Sequence, residues 1–150
     1  MTSTDDIKKL RERTSAGISD VKDALDAADG DTANALKILK EKGASIAAKK
    51  ANRSTEQGLV EVYAHMGRIG AMVEVNCETD FVARNPEFKE LAHDLVLQVA
   101  SLDSDELKDL LAMELIKEPS KTVQELITEK IAKLGENIKV RRFHRFVLGE

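Results

Sequence analysis

Residues 73–86 read VEVNCETDFVARNP, and this stretch decides how the chain folds. Apolar and polar side chains alternate from Val73 to Cys77, as they do in a strand with one buried face. The alternation stops at Thr79, where a helical turn is predicted, and Pro86 then starts a longer helix, a position at which proline is well tolerated. A strand that leads through one turn into a long helix is typical of an α+β body.

Two interpretations of Thr79–Val82 follow from the residues alone. In the first, an Asp beside a large Phe at a strand-to-helix junction is presented outward as a wedge. In the second, Thr79 or Asp80 caps a short helix and Phe81 packs into the core. The second interpretation is the more ordinary one, and the local pattern favours it.

The pattern on both sides of this stretch predicts a small antiparallel sheet. Residues 59–63 and 69–75 are β-prone, and the turn at 65–68 contains Gly67, which tolerates a positive φ. A third strand is predicted over 136–148, with a bulge where the alternation slips around 141–143. Helices are predicted over 86–99, within 103–118 and over 122–134. The body is therefore a three-stranded antiparallel sheet packed with helices.

Three short helices are predicted before the body, at about residues 4–42. Apolar residues recur at helical spacing in each of them, and Gly30 and Gly43 are expected to end the second and third helices. None is long enough to be stable alone, so they should pack into a bundle. The predicted division is a helical head at 1–43, a basic helix and linker at 44–57 and a core at 58–150.

Composition and charge exclude several classes of protein. The sequence contains one cysteine, no tryptophan and 3% aromatic residues, which argues against a disulfide framework and against stacking on bases. The net charge of −4 hides a split of +2 over 1–53, −10 over 54–129 and +4 over 130–150. An acidic middle suits docking on another protein better than wrapping nucleic acid. Neither a membrane span nor a signal peptide is predicted.

The sequence predicts neither catalysis nor a metal or cofactor site. It has no phosphate-cradling GxxxxGK[ST] loop, no GxGxxG after a strand and no HExxH. Cys77 has no histidine near it in the sequence and is interpreted as a small buried residue at a strand end. The chain is therefore not expected to be an enzyme.

Several stretches in order resemble the bacterial elongation factor Ts family, the guanine-nucleotide exchange factors of elongation factor Tu. They extend over nearly the whole chain, and this makes the resemblance specific. The matching stretches are 10–17, 20–25, 30–31, 47–51, 73–85 and 133–143.

The resemblance implies a ubiquitin-associated-like three-helix head and an α+β core. It implies that the head docks on the GTPase domain of elongation factor Tu through Leu10, Arg11, Thr14, Gly17 and Ile18. It also implies that Thr79, Asp80, Phe81 and Val82 enter the partner near its magnesium and nucleotide site. The factor itself is expected to bind no nucleotide, cofactor, nucleic acid or membrane, and to act in the cytoplasm.

The sequence leaves two points open, the oligomeric state and an alternative function. Longer family members have a second core subdomain, whereas this chain has room for one, so a homodimer could supply the missing surface. The alternative function is a small RNA- or ribosome-associated binding module that uses the basic segments 42–53 and 139–145.

Overall fold

The computed structural model describes residues 3–150 and has the predicted α+β architecture. Met1 and Thr2, which belong to the predicted head, lie outside the described residues. The elements in chain order are α1 (Thr4–Thr14), α2 (Ile18–Ala27), α3 (Thr32–Lys50), β1 (Gln57–His65), β2 (Ile69–Cys77), α4 (Asp80–Ala83), α5 (Pro86–Ser101), α6 (Leu107–Ala112), α7 (Val123–Leu134) and β3 (Lys139–Val147).

The three helices of the head form their own apolar core, and side chains cap the first turns of α1 and α3. The Ser3 hydroxyl accepts a hydrogen bond from the Asp5 amide at 3.1 Å, and Asp31 accepts from Ala33 and Asn34 at 2.8 and 3.2 Å. These caps satisfy amides that have no partner within the helix. The buried side chains of this core are Leu10, Val21, Ala24, Leu25, Ala35 and Leu39.

The predicted end of the third helix at Gly43 is wrong, because α3 continues without a break to Lys50. A glycine in a helix interior costs only about 1 kcal/mol, and tertiary packing offsets a cost of this size. That packing comes from α7, since a Cβ built on Gly43 would lie 3.9 Å from the Cβ of Ala132. The predicted basic helix is thus the second half of α3, while the division of the chain into domains stays a prediction.

The sheet has the order β1-β2-β3, and both of its pairings are antiparallel. The β1–β2 turn contains three residues, Met66 to Arg68, between the paired residues His65 and Ile69, and φ is positive at Met66 and Gly67. The predicted irregularity in β3 is confirmed, since Glu74 pairs with Arg142 whereas Val75 pairs with Val140. Arg141 is therefore the extra residue of a bulge.

Helix α5 covers the inner face of the sheet and forms the main core with it. The residues of β2 that face inward are Ala71, Val73, Val75 and Cys77, and all four are buried. The predicted apolar face of α5 is buried completely, and it consists of Phe88, Leu91, Ala92, Leu95, Val96 and Val99. Helix α7 adds Val123, Ile127 and Ile131 to the same cluster.

Head and core meet where α3 packs against α7. Lys121, which precedes α7 and is 8% exposed, donates a hydrogen bond to the backbone carbonyl of Arg13 at the end of α1. Its ammonium group also lies 3.1 Å from Glu129 and 3.4 Å from Glu118. A cation is favourable at a helix C-terminus, where carbonyls lack partners. Lys121 therefore ties the core to the last turn of α1.

Candidate functional site

The site begins where β2 ends, at the turn Thr79–Val82, which we call the wedge turn. Thr79 is the N-cap of α4, and its hydroxyl accepts a hydrogen bond from the Val82 amide at 3.4 Å. Val82 packs partly against the main core, and Ala83 after it is buried. The helix is therefore anchored on one side and open to solvent on the other.

Phe81 lies on the open side, and 90% of its surface is exposed. The interpretation in which Phe81 packs into the core is thus wrong. The other part of that interpretation is confirmed, because Thr79 caps α4. The reason for the exposure of Phe81 lies in the helical spacing, since Val82 and Ala83 occupy the side of this single turn that meets the core. Phe81 is therefore a large apolar side chain that is free to contact another molecule.

Asp80 stands beside Phe81 and is exposed as well. Its carboxylate forms an ion pair of 2.7 Å with Arg84, one helical turn further on, and both side chains are more than half exposed. An exposed pair of this kind contributes little to stability. The Asp80 carboxylate is therefore available to a partner at small cost.

A residue distant in sequence holds the start of the wedge turn. The Glu136 carboxylate accepts hydrogen bonds from the Glu78 amide at 3.2 Å, the Thr79 amide at 2.9 Å and the Thr79 hydroxyl at 2.7 Å. No local pattern in the sequence predicts a role for Glu136. Glu136 lies in the stretch 133–143, which carries part of the family resemblance. Its contact with Thr79, 57 residues earlier, could not be predicted from the sequence.

Cys77 lies directly beneath the wedge turn, as the last residue of β2. Its side chain is fully buried, and its thiol donates a hydrogen bond to the Thr79 carbonyl at 3.2 Å. Burial, reinforced by the negative charge of Glu136, raises the pKa of the Cys77 thiol to about 11. An inert thiol of this kind fills space and supports the turn, in agreement with the interpretation of Cys77 as a small buried residue.

The predicted docking residues of the head divide into two groups. Arg11, Gly17 and Ile18 are exposed around the α1–α2 junction. Leu10 and Thr14 are buried, and the Thr14 hydroxyl donates to the Leu10 carbonyl at 2.7 Å and accepts from the Ala16 amide at 3.3 Å. Leu10 and Thr14 therefore shape the junction from within, while the other three form its surface.

A cleft of about 800 Å³ separates this junction from α7. Arg11, Thr14 and Gly17 line its head side, and Glu125 and Glu129 line its core side. The head residues and the wedge turn share no hydrogen bond or ion pair within residues 3–150. They are two separate surfaces of one molecule.

Two kinds of feature are absent among the described residues, clusters of metal-ligating side chains and helices that could span a membrane. No group of three or more His, Cys, Asp or Glu side chains in residues 3–150 is placed to hold a metal ion. No helix among the described residues is long and apolar enough to cross a membrane.

Comparisons with known proteins agree with this architecture. A family profile described as elongation factor TS matches residues 78–150. Elongation factor Ts of Carboxydothermus hydrogenoformans is 40% identical over 196 aligned positions, which cover 100% of this chain and 90% of that protein. Elongation factor Ts of Rubrobacter xylanophilus is 39% identical over 193 positions, which cover 98% and 99%. Because these alignments are longer than 150 residues, both relatives contain internal residues that this chain lacks.

A third relative, elongation factor Ts of Acaryochloris marina, is 43% identical over 195 positions, which cover 99% of this chain and 82% of that protein. A three-helix head on a three-stranded α+β core, with similarity over its whole length, defines a translation elongation factor of the non-enzymatic kind. The chain belongs to the elongation factor Ts family. The family resemblance and the expectation that the chain is not an enzyme are thereby confirmed.

The burial of Cys77 generates a chemical prediction. With a thiol pKa of about 11, roughly one molecule in a thousand carries the reactive thiolate at pH 8. We therefore expect Cys77 to resist an aromatic disulfide reagent in the native protein and to react fully in guanidinium chloride. The release of coloured thiolate measures both reactions. A Cys77→Ala, Ser45→Cys variant, whose thiol lies on the exposed side of α3, should react at once, and equally fast native labelling of Cys77 would contradict the prediction.

Proposed function

We propose that this protein is a guanine-nucleotide exchange factor that binds elongation factor Tu in its GDP form and promotes the release of GDP. Membership of the elongation factor Ts family supports this partner and this type of reaction. The observation that carries the proposal is the 90% exposed ring of Phe81 on a capped turn. Burial of this apolar ring against another protein would make a favourable contribution to the free energy of binding. The place of action is then the cytoplasm.

The mechanism follows from thermodynamic linkage. A factor that binds best to the nucleotide-free partner lowers the affinity of that partner for nucleotide. Bound nucleotide must lower the affinity of the partner for the factor by the same ratio. Each 1.4 kcal/mol of this coupling changes the affinity tenfold. The factor needs no nucleotide site of its own, since its binding free energy is the driving force.

The wedge turn is the part that delivers this coupling. Magnesium bridges the phosphates of a bound nucleotide to the GTPase, so a disturbance of its surroundings loosens the nucleotide. Phe81 inserts apolar surface between elements of the partner near this ion. The Asp80 carboxylate, released from its exposed pair with Arg84, perturbs the polar groups around it. Thr79 and Val82 hold the two ends of the turn.

The head supplies a second contact with the GTPase domain of the partner. Arg11 and Ile18 offer a cation and an apolar side chain at the exposed α1–α2 junction, and Gly17 lies between them in sequence. Leu10 and Thr14 keep this junction in shape from inside the bundle. Two linked contacts bind more tightly than either alone, because the second forms at a high effective concentration.

The alternative, an RNA- or ribosome-associated module, has weaker support from the geometry. Several cations of the two basic segments are paired with carboxylates of the protein itself. Lys42 pairs with Asp20 at 2.5 Å, and Arg142 pairs with Glu74 at 2.9 Å. A paired cation releases fewer counterions on binding phosphate and so contributes less affinity for RNA.

We also propose that two copies of the chain associate through the outer face of the sheet. This face carries a row of exposed apolar side chains, which are Val60, Val62, Met72 and Phe146. Val62 and Met72 are paired across β1 and β2 on this face, so a second copy related by a two-fold axis would cover the same apolar row with its own. The pair of sheets would provide the second core unit that longer relatives contain within one chain.

The wedge proposal is tested by the double substitution Asp80→Ala and Phe81→Ala. We expect the maximal rate of release of fluorescent GDP from elongation factor Tu to fall about tenfold, which corresponds to about 1.4 kcal/mol in the activation free energy of release. Stopped-flow fluorescence measures the rate at increasing factor concentration. Met66→Ala, which removes an equally exposed side chain from the β1–β2 turn, serves as the control. A folded double variant with the wild-type maximal rate would refute the wedge.

The head contact is tested by Arg11→Ala. We expect the factor concentration needed for half-maximal GDP release to rise severalfold, while the maximal rate and the melting temperature stay near those of the wild type. The reason is that Arg11 is exposed and outside both cores. Lys9→Ala on the same helix is the matched control. A sharp drop in melting temperature with unchanged affinity would make Arg11 a structural residue.

Association of two copies is tested by light scattering at micromolar concentration. We expect twice the chain mass of 16.5 kDa for the wild type, and 16.5 kDa for Val62→Asp, because a carboxylate in the centre of a buried interface is strongly unfavourable. Ser45→Asp, on α3, should leave the mass unchanged. A wild-type mass of 16.5 kDa with full exchange activity would show that a single copy is sufficient.

A further inference from the structure

The loop that follows α7 is folded so that it reaches the end of β2. Gly135 ends α7 with a φ of 77°, a left-handed conformation that turns the chain back across the helix end. The next residue, Glu136, thereby brings its carboxylate to the first residues of the wedge turn. Both oxygens are used, one by the two amides of Glu78 and Thr79 and the other by the Thr79 hydroxyl.

The contact is reciprocal, because the wedge segment holds the loop in return. The Glu78 carboxylate accepts a hydrogen bond from the Asn137 amide at 2.7 Å. Asn137 is 2% exposed, and its side-chain amide donates to the Arg53 carbonyl at 2.9 Å and to the Ala51 carbonyl at 3.4 Å. Three segments that are distant in sequence, 51–53, 78–79 and 135–137, are therefore joined by hydrogen bonds at one place.

The wedge turn is too short to be stable by itself, so its orientation depends on contacts with the rest of the molecule. Helix α4 has four residues, far fewer than an isolated helix needs in water. The Phe81 ring is exposed, so its own burial contributes nothing to its position in the free protein. Besides the packing of Val82 and Ala83 on the core, the turn is held by its backbone at Glu78 and Thr79, and Glu136 binds that backbone through hydrogen bonds to a charged group, which are stronger than neutral ones.

The Thr79 hydroxyl connects this support to the wedge itself. It donates to Glu136 at 2.7 Å and accepts from the Val82 amide at 3.4 Å. Its rotamer is thus set from both sides, and the orientation of α4 relative to the sheet depends on both contacts. A loss of the carboxylate leaves two amides and a hydroxyl without their partner at the point where the turn begins.

We propose that Glu136 is a positioning residue for the wedge turn, which it holds in the orientation that inserts Phe81 and Asp80 into the partner. This inference rests on the proposed exchange function. Preorganisation of this kind removes an ordering cost that would otherwise be paid when the complex forms its productive geometry. The stretch 133–143 thereby acquires a role in the exchange step, although it lies far from the wedge turn in the sequence.

The test uses Glu136→Gln, Glu136→Ala, Thr79→Val and Thr79→Ser in the full chain. The amide keeps the size of the side chain but offers only one accepting oxygen in place of two, valine removes the hydroxyl, and serine retains it. Glu106→Gln, a carboxylate in an exposed pair with Lys108, is the matched control. The first readout is hydrogen exchange of the amides of Glu78, Thr79 and Val82 by NMR in the free protein.

We expect Glu136→Gln and Thr79→Val to speed the exchange of these amides by roughly tenfold, the effect of losing one hydrogen bond to a charged group. In the GDP-release assay, both variants should lower the maximal rate without a matching rise in the half-saturating concentration. Thr79→Ser should restore both quantities toward wild type. Because the two residues act through one contact, Glu136→Gln with Thr79→Val should cost less than the sum of the single losses.

The possible outcomes distinguish the positioning role of Glu136 from the proposed exchange function. Unchanged amide exchange and an unchanged maximal rate in folded Glu136→Gln and Glu136→Ala would overturn the positioning role. A uniform rise in exchange of all amides, with a lower melting temperature, would make Glu136 a merely structural residue and would also overturn it. If the wild-type protein fails to accelerate GDP release, the exchange function is refuted, while the amide measurement still decides whether Glu136 orders the turn.

Discussion

The packing of α5 against the inner face of β2 is the contact on which the rest of the structure depends. Cys77 ends β2 fully buried, and Phe88 in the first turn of α5 is fully buried in the same cluster. The ten residues between them must therefore lead the chain out of the sheet and back to the core, where α5 begins. Within that short path only one side of α4 can meet the core, and Ala83 and Val82 occupy it. Phe81 is left outside as a consequence of this packing.

Helix α7 organises the remainder of the molecule around that contact. One part of its surface adds Val123, Ile127 and Ile131 to the main core, and another part packs against α3 of the head. The residue before its cap, Lys121, reaches the carbonyl at the end of α1, and the loop after it carries Glu136. A single helix thus leads at one end to the head and at the other end to the wedge turn. The two surfaces proposed for the partner are both attached to it.

The charged side chains of the molecule fall into a buried group and an exposed group. The buried charges are paired, as with Lys121 and Glu129, and burial raises the pKa of Glu129 despite the neighbouring ammonium group. The charges at the wedge turn and at the α1–α2 junction are exposed and weakly held, as with Asp80 and Arg11. Charges that stabilise the fold are therefore distinct from those that remain free for a partner, which is the distribution that a docking protein needs.

Most of the helices and strands could be predicted from the sequence, because a local pattern encodes each of them. Apolar residues at helical spacing predict α5 and α7, and alternation predicts β2, and the structure confirms all three elements. The continuation of α3 past Gly43 and the outward position of Phe81 could be seen only in the tertiary structure. Only it joined Glu136 to Thr79. The physical reason is that these features depend on contacts between distant segments, and short-range periodicity carries no information about which distant segments meet.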